Sequence, residues 1–215
     1  YLNGVLYYQY GFDGFAFDES RYINNFIDYE RFHLMGQRVQ KLFQLSDYPL
    51  SVVAGNKKDG TIKVQPGANY TYRVEVYDFH GNKVELVIPV EFANSQATIK
   101  NTIQKTPYYV KAKNEAIFEK NNVSVQIPEN AFYTNFYLNF DVNGDVLTLH
   151  DDSVPVHKNI TITFNDVQGL TEEQLAKTFI ATLDGYKLDY NKTYRKGNTF
   201  SIKTKTLGKF KLAQD

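Results

Sequence analysis

Tyr70 to Phe92 reads YTYRVEVYDFHGNKVELVIPVEF. Side chains of a strand alternate between its faces, so Tyr70, Tyr72, Val74 and Val76 share one face of the first arm. His80-Gly81-Asn82 turns the chain, and Lys83 to Phe92 returns. Pro89 has no N–H to give to a ladder, which assigns the returning arm to an edge or a bulge. A hairpin with one apolar face, set among short strands and regular turns, specifies an immunoglobulin-like meander.

Toward the N-terminus, Asn3-Gly4 is the strongest kind of two-residue hairpin signal, with Val5 to Tyr10 as its return arm. Only two residues precede that turn, so the expectation is a chain cut from a longer protein. Phe12 to Glu30, FDGFAFDESRYINNFIDYE, follows. Phe12, Phe15 and Phe17 around Gly14 read as a short kinked aromatic strand. Asp18, Glu19 and Ser20 offer cap oxygens, and Tyr22, Ile23, Phe26 and Ile27 recur at helical spacing. This predicts a short helical insert at about residues 19–35 that plugs one end of a sandwich. Phe17, Tyr22, Ile23 and Phe26 are expected to be buried, with Arg21 held by Asp28 or Glu30, because an unpaired charge in an apolar stripe is costly. The competing reading makes Arg21, Asp28 and Glu30 a binding cleft, and these three are the candidate site residues. Val39–Leu45, Ser51–Val53 and Thr61–Val64 are expected strands.

Toward the C-terminus, Ala93 to Thr106 turns polar, ANSQATIKNTIQKT, without Phe or Tyr. A domain boundary belongs there, giving domains at residues 1–95 and 99–215. In the second, strands are expected at Tyr108–Ala112, Ala116–Glu119, Val123–Ile127, Phe136–Asp141, Val146–Leu149, Asn159–Phe164, Thr178–Leu183, Tyr186–Tyr190, Thr199–Thr204 and Gly208–Ala213. Asn143-Gly144 and Asp184-Gly185 mark hairpin turns. Thr171-Glu-Glu-Gln174 is a capping box, so Glu172 to Lys177 should be helical. The fold class is all-β: two immunoglobulin-like β-sandwich domains, the first with a short helical insert.

Among 215 residues, 24 basic side chains balance 24 acidic ones. No basic stripe is present, which argues against nucleic acid or an anionic membrane as the main partner. No apolar run is long enough for a membrane span. Cysteine is absent, so there is no disulfide framework, thiol nucleophile or thiolate metal site. His150, Asp151, Asp152 and His157 are the only local cluster of ligand types; no zinc spacing rule supports them, and the segment reads as a solvated loop. Asp78 and Asn82 bracket a turn and are explained by turn chemistry. Nothing resembles a Gly-x-Ser-x-Gly nucleophile elbow. Tyr7-Tyr8, Tyr108-Tyr109 and Tyr133 are candidates for a sugar-stacking platform, although alternation turns half of each pair inward.

At Phe15 to Ser51, FAFDESRYINNFIDYERFHLMGQRVQKLFQLSDYPLS, the chain resembles the non-catalytic region of lysostaphin-type zinc metallopeptidases from Bacteroidetes-like envelopes. In that family a catalytic domain precedes immunoglobulin-like domains, the first carrying a pattern like FSFDESRYIN…DYE…QKLF…NPLS. VYDFHGNKVEL within Tyr70–Phe92 is similar to that domain's next hairpin, and Val123–Tyr133 and Thr204–Phe210 to the strands of the second. The family's zinc motifs, His-x-x-x-Asp and His-x-His, do not carry over. Four residues after the histidines stand Gln37, Val84, Val154 and Thr161; two after stand Met35, Asn82, Asp152 and Asn159.

The resemblance implies a non-catalytic accessory region of a bacterial periplasmic, surface or secreted peptidase-like protein. It would orient or cap an upstream peptidase domain, or bind peptidoglycan or an envelope protein. No cofactor is expected in this chain, since zinc would sit upstream. The alternative is a free-standing carbohydrate- or protein-binding module. The polar shift at Ala93–Thr106 generates a direct expectation: limited proteolysis should cut there and leave two resistant fragments, whereas cutting confined to the Gly55–Gly60 loop would contradict two independent domains.

Overall fold

The computed structural model describes residues 1–11, 26–44, 51–55, 59–94 and 104–215. Every strand pairing in it is antiparallel, and the chain is all-β, with two short helices among the described residues. Contacts divide it into one unit of Tyr1–Asp28 with Arg38–Thr102 and another of Tyr29–Gln37 with Ile103–Asp215.

In the first unit, β1 (Gln9–Tyr10) pairs with β2 (Val53–Ala54), and β3 (Asn69–Tyr77) pairs with β4 (Lys83–Glu91). Asn3 and Gly4 both take positive φ, 49° and 82°, as the right-handed twist of a two-residue hairpin requires. Leu2 and Val5 exchange both backbone bonds across them. The arm before the turn lies along β3: the Tyr1 amine donates to the Arg73 carbonyl at 2.8 Å, and the Arg73 N–H donates back at 3.0 Å.

Phe26 is buried, as its place in the stripe predicts, with Val53 beside it and Tyr8, Tyr10 and Val52 packed around them. Its ring stacks on Tyr10 with centroids 4.4 Å apart. The helical reading of Phe26 and Ile27 is corrected, however. Lys41 N–H donates to the Phe26 carbonyl, Asp28 N–H donates to the Val39 carbonyl, and Ile27 forms a bridge with Gln40. Cross-chain pairing has taken the backbone groups a helix would use. The α-helix α1 runs only over Tyr29–Met35, and none of its residues is buried. Phe17, Arg21, Tyr22 and Ile23 lie outside the described residues. The expected strand at Val39–Leu45 reduces, over its described part, to the Gln40 bridge, and Thr61–Val64 forms no strand. There the Thr61 carbonyl accepts from the Tyr7 hydroxyl at 2.6 Å instead of from a neighbouring strand.

The second unit contains β5 (Tyr108–Val110), β6 (Ala116–Lys120), β7 (Val123–Ile127), β8 (Phe136–Leu138), β9 (Phe140–Asn143), β10 (Val146–Leu149), β11 (Ile160–Phe164), β12 (Thr178–Asp184), β13 (Lys187–Tyr190), β14 (Tyr194–Lys196), β15 (Thr199–Thr204) and β16 (Gly208–Gln214), with helix α2 (Glu172–Lys177) before β12. Two five-stranded sheets, β13-β12-β16-β10-β9 and β14-β15-β11-β7-β6, are joined by a β5-β8 ribbon. The register aligns Val125, Ile162 and Ile202 across one sheet and Val142, Leu147 and Phe210 across the other. Both rows belong to one buried cluster, the shared core of a sandwich. The opposite face of the first row carries Ser124, Thr163 and Ser201, which is the polar half of the alternation.

Asn143 and Asp184 are the last ladder residues rather than turn centres, since they pair with Val146 and Lys187. Each turn is therefore centred one residue later, with Gly144 or Gly185 first at φ 59° or 57°, a Gly-x hairpin turn in place of Asn-Gly or Asp-Gly. The capping box of α2 forms as its sequence predicts: Gln174 N–H donates to Thr171 Oγ1 at 3.3 Å, and Thr171 N–H donates to Gln174 Oε1 at 2.9 Å.

Between β13 and β14 the chain crosses from one sheet to the other, so the β12–β13 ladder stops at Ala181 and Ile180 has no ladder residue on that side. Thr193 Oγ1 accepts from the Ile180 N–H at 2.9 Å. Asn191 Nδ2 donates to the Ile180 carbonyl at 3.2 Å and to Thr182 Oγ1 at 2.9 Å. Side chains thus close this edge of the sandwich.

The small core of the first unit makes opposite demands on two of its aromatics. Phe26→Ala should lower unfolding free energy by about 3–5 kcal/mol. Tyr8 carries a buried hydroxyl without a hydrogen-bond partner, so Tyr8→Phe should cost nothing. Denaturant melts of the two variants check both, and a Phe26→Ala melt matching the parent would remove Phe26 from the core.

Candidate functional site

The β3–β4 hairpin carries most of its apolar side chains on one face. Tyr70, Tyr72, Val74 and Val76 stand opposite Val90, Ile88, Leu86 and Val84. Toward the turn this face is open: Val76 is 59% exposed, Val84 72% and Leu86 58%, while Phe79 in the turn is 96% exposed. A contiguous exposed apolar surface of this kind marks an interaction site more often than it marks solvent contact.

The other face is a charge network. Glu75 Oε1 lies 3.0 Å from both Arg73 Nη1 and Lys83 Nζ, and Lys83 Nζ reaches Glu85 Oε2 at 2.8 Å. The Tyr77 hydroxyl donates to Glu75 Oε2 at 2.9 Å. The bond from Lys83, more than that from Tyr77, holds the Glu75 carboxyl below its usual range. Arg73 also covers the Tyr1 ring, 4.3 Å from its centroid.

The turn is rigidified by Asp78. Its Oδ1 accepts from the N–H groups of His80 (2.9 Å) and Asn82 (2.8 Å), and its Oδ2 accepts from Asn82 Nδ2 at 2.7 Å. This is the turn chemistry read from Asp78 and Asn82, and it leaves Phe79 projecting from a fixed loop.

Of the three candidate residues, Asp28 and Glu30 are described, two positions apart in the chain. Asp28 closes the first stretch of the first unit; it opposes the burial that pushes the nearby Lys41 ammonium down. Glu30 lies exposed in the first turn of α1, which groups with the second unit. Arg21 lies outside the described residues, so its pairing with either carboxylate has no structural description.

Among the described residues, no group of three or more His, Cys, Asp and Glu stands close enough to hold a metal ion. His150 is half-buried rather than solvated: its Nδ1 accepts from the Asn139 N–H at 3.1 Å, and its ring meets Phe136 edge-on. His157 Nδ1 lies 3.5 Å from the Tyr133 hydroxyl. Asp151 Oδ1 accepts from the Ser153 N–H. Alternation sorts Tyr108 and Tyr109 as expected. Tyr108 packs edge-on against Phe118 and Phe140, while Tyr109 is 42% exposed beside Tyr137, with ring centroids 4.8 Å apart.

Asp78 was legible as a turn residue; Asn139 and His150 were not, because their contact depends on where β8 leaves the sheet. Asp78→Ala should accelerate amide exchange at His80 and Asn82 while sparing the β3–β4 ladder near Tyr70. Acid should act in the same sense. The bonds from Asn82 hold the Asp78 carboxyl below its ordinary 3.8, so its contribution is complete above that value and is lost as pH falls through the folded-state pKa. Unchanged exchange in the variant would show that the loop is held by other means.

A family model described as a Zu5-like domain matches residues 107–215. No curated protein and no solved structure matches the chain.

Proposed function

The chain belongs to the Zu5-like domain family. We propose that it is a non-catalytic accessory region of a bacterial cell-envelope, metallopeptidase-like protein. Its work would be to hold or cap a peptidase domain, or to bind a wall or protein partner. The observation that carries the binding part is the open apolar end of the β3–β4 hairpin, with Val76, Val84 and Leu86 exposed on its strands and Phe79 exposed on the loop fixed by Asp78. A preorganised aromatic flanked by aliphatics resembles the anchors that dominate protein interfaces. The peptidase connection rests on the resemblance at Phe15–Ser51. Periplasm or cell surface is the location that goes with it, and zinc would belong to the catalytic domain rather than to this chain.

The tilted Tyr109–Tyr137 pair, with Tyr109 exposed, favours a second reading, a carbohydrate-binding module, because an exposed aromatic face can take a sugar ring. The readings separate in one set of measurements. The parent gene is expected to encode His-x-x-x-Asp and His-x-His ahead of Tyr1, and that domain, made separately, is expected to bind this chain and to lose at least tenfold in affinity with Phe79→Ala, the loss of about 1.4 kcal/mol or more typical of a hot-spot residue. A parent gene without those motifs would overturn the peptidase assignment. Binding to wall glycan that disappears in Tyr109→Ala, with Phe79→Ala unaffected, would replace it with the sugar reading.

A further inference from the structure

The ladder between β9 and β10 ends in an unusual rung. From Asn143–Val146 to Phe140–Leu149 the pairing is regular. One residue further, the His150 N–H donates to the Asn139 carbonyl at 2.6 Å. The return bond does not go to the His150 carbonyl. His150 sits at φ 53°, where the chain turns out of β10, and the Asn139 N–H donates to the imidazole Nδ1 at 3.1 Å. The side chain replaces a main-chain acceptor. Asn139 is the corner at which the chain passes from β8, paired with β5, to β9, paired with β10. The ring also packs against Phe136 of β8, with centroids 5.1 Å apart. One imidazole therefore ties the β5–β8 ribbon to the main sheet.

This bond exists in one protonation state only. Nδ1 accepts when the ring is neutral with its proton on Nε2; in the imidazolium both nitrogens are donors. A proton on Nδ1 would point at the Asn139 N–H, remove the bond and leave that amide without a partner. We propose that His150 is an acid-operated latch, closed when neutral, whose protonation releases the β8–β9 corner and loosens the β5–β8 ribbon that displays Tyr109 and Tyr137.

The charged neighbours set how the latch is poised. Asp151 adjoins the ring and favours the imidazolium, but burial outweighs it and pushes the His150 pKa down. The Asp151 carboxylate is itself engaged by Ser153 and feels His33 of α1. With the folded-state pKa below the ordinary 6.5, the unfolded chain takes the proton first. Stability conferred by the neutral ring is complete above that ordinary value, declines as pH falls below it, and levels off below the folded-state pKa.

The test is a pH titration of amide exchange in the full chain from pH 7.5 to 5.0, corrected for intrinsic exchange. The parent is expected to lose about tenfold in protection at Asn139, the equivalent of one hydrogen bond, and to lose protection along β5–β8 while β7–β11 holds. His150→Asn places an amide oxygen where Nδ1 stands and tolerates positive φ. It should keep the corner closed across the range. Protection at Asn139 that stays constant in the parent while the His150 ring titrates would overturn the proposal. So would an identical loss in His150→Asn. Should the variant fail to fold, the parent titration alone decides.

Discussion

A backbone group that loses its ladder partner inside a protein must find another, because leaving a buried N–H or C=O unpaired costs as much as several favourable contacts supply. In the second unit a side chain takes over for a lost ladder partner at two of the places where the chain changes sheet. Between β13 and β14, Asn191 and Thr193 serve both backbone groups of Ile180. Between β8 and β9, the His150 imidazole serves the Asn139 N–H. The apolar core tells the two sheets to stack, and at these two corners a side chain stands in for the missing backbone partner. The chain changes partner across the single residue Asn139 at one corner and across residues 191–193 at the other, while the β10–β11 and β11–β12 connections are longer.

The sequence reads well wherever one local rule decides. Alternation located the strands of the second unit, including Val123–Ile127, Val146–Leu149 and Thr199–Thr204 at their observed bounds, because a half-buried strand imposes its period on the residues directly. The capping box named the bounds of α2 for the same reason. Reading failed where tertiary pairing overruled a local pattern. Phe26 and Ile27 have helical spacing, but the segment around Gln40 claimed their backbone. Phe136–Asp141 looks like one strand and is two, split at Asn139. β14 went unseen because Tyr194, Arg195 and Lys196 are all exposed and show no alternation. The candidate site behaved likewise. Asp78 was legible from turn chemistry, whereas His150 looked like solvated loop, since no spacing rule says that an imidazole will replace a carbonyl.

The two units also differ in what they leave open. The second encloses one cluster that draws on both its sheets. The described part of the first buries only Phe26 and Val53 as a core and sends its longest hairpin outward with an apolar face. Membership of the Zu5-like domain family concerns the enclosed unit, while the surface most suited to a partner belongs to the other. That separation fits a chain in which one part supplies a stable frame and the other supplies contact.

An open apolar hairpin would ordinarily invite strand-by-strand growth into aggregates. The outer edge of β4 resists this. Arg73 turns both its backbone groups toward Tyr1, so Val87 opposite it, and with it Lys83, Glu85, Pro89 and Glu91, turns toward the outer edge of β4. Three of these positions carry charge and Pro89 has no hydrogen to donate. A foreign strand laid along this edge would meet a gap in the donors and the charged side chains of Lys83, Glu85 and Glu91, which pairing would desolvate. The hairpin can therefore offer its side chains to a partner while remaining a poor template for fibrils.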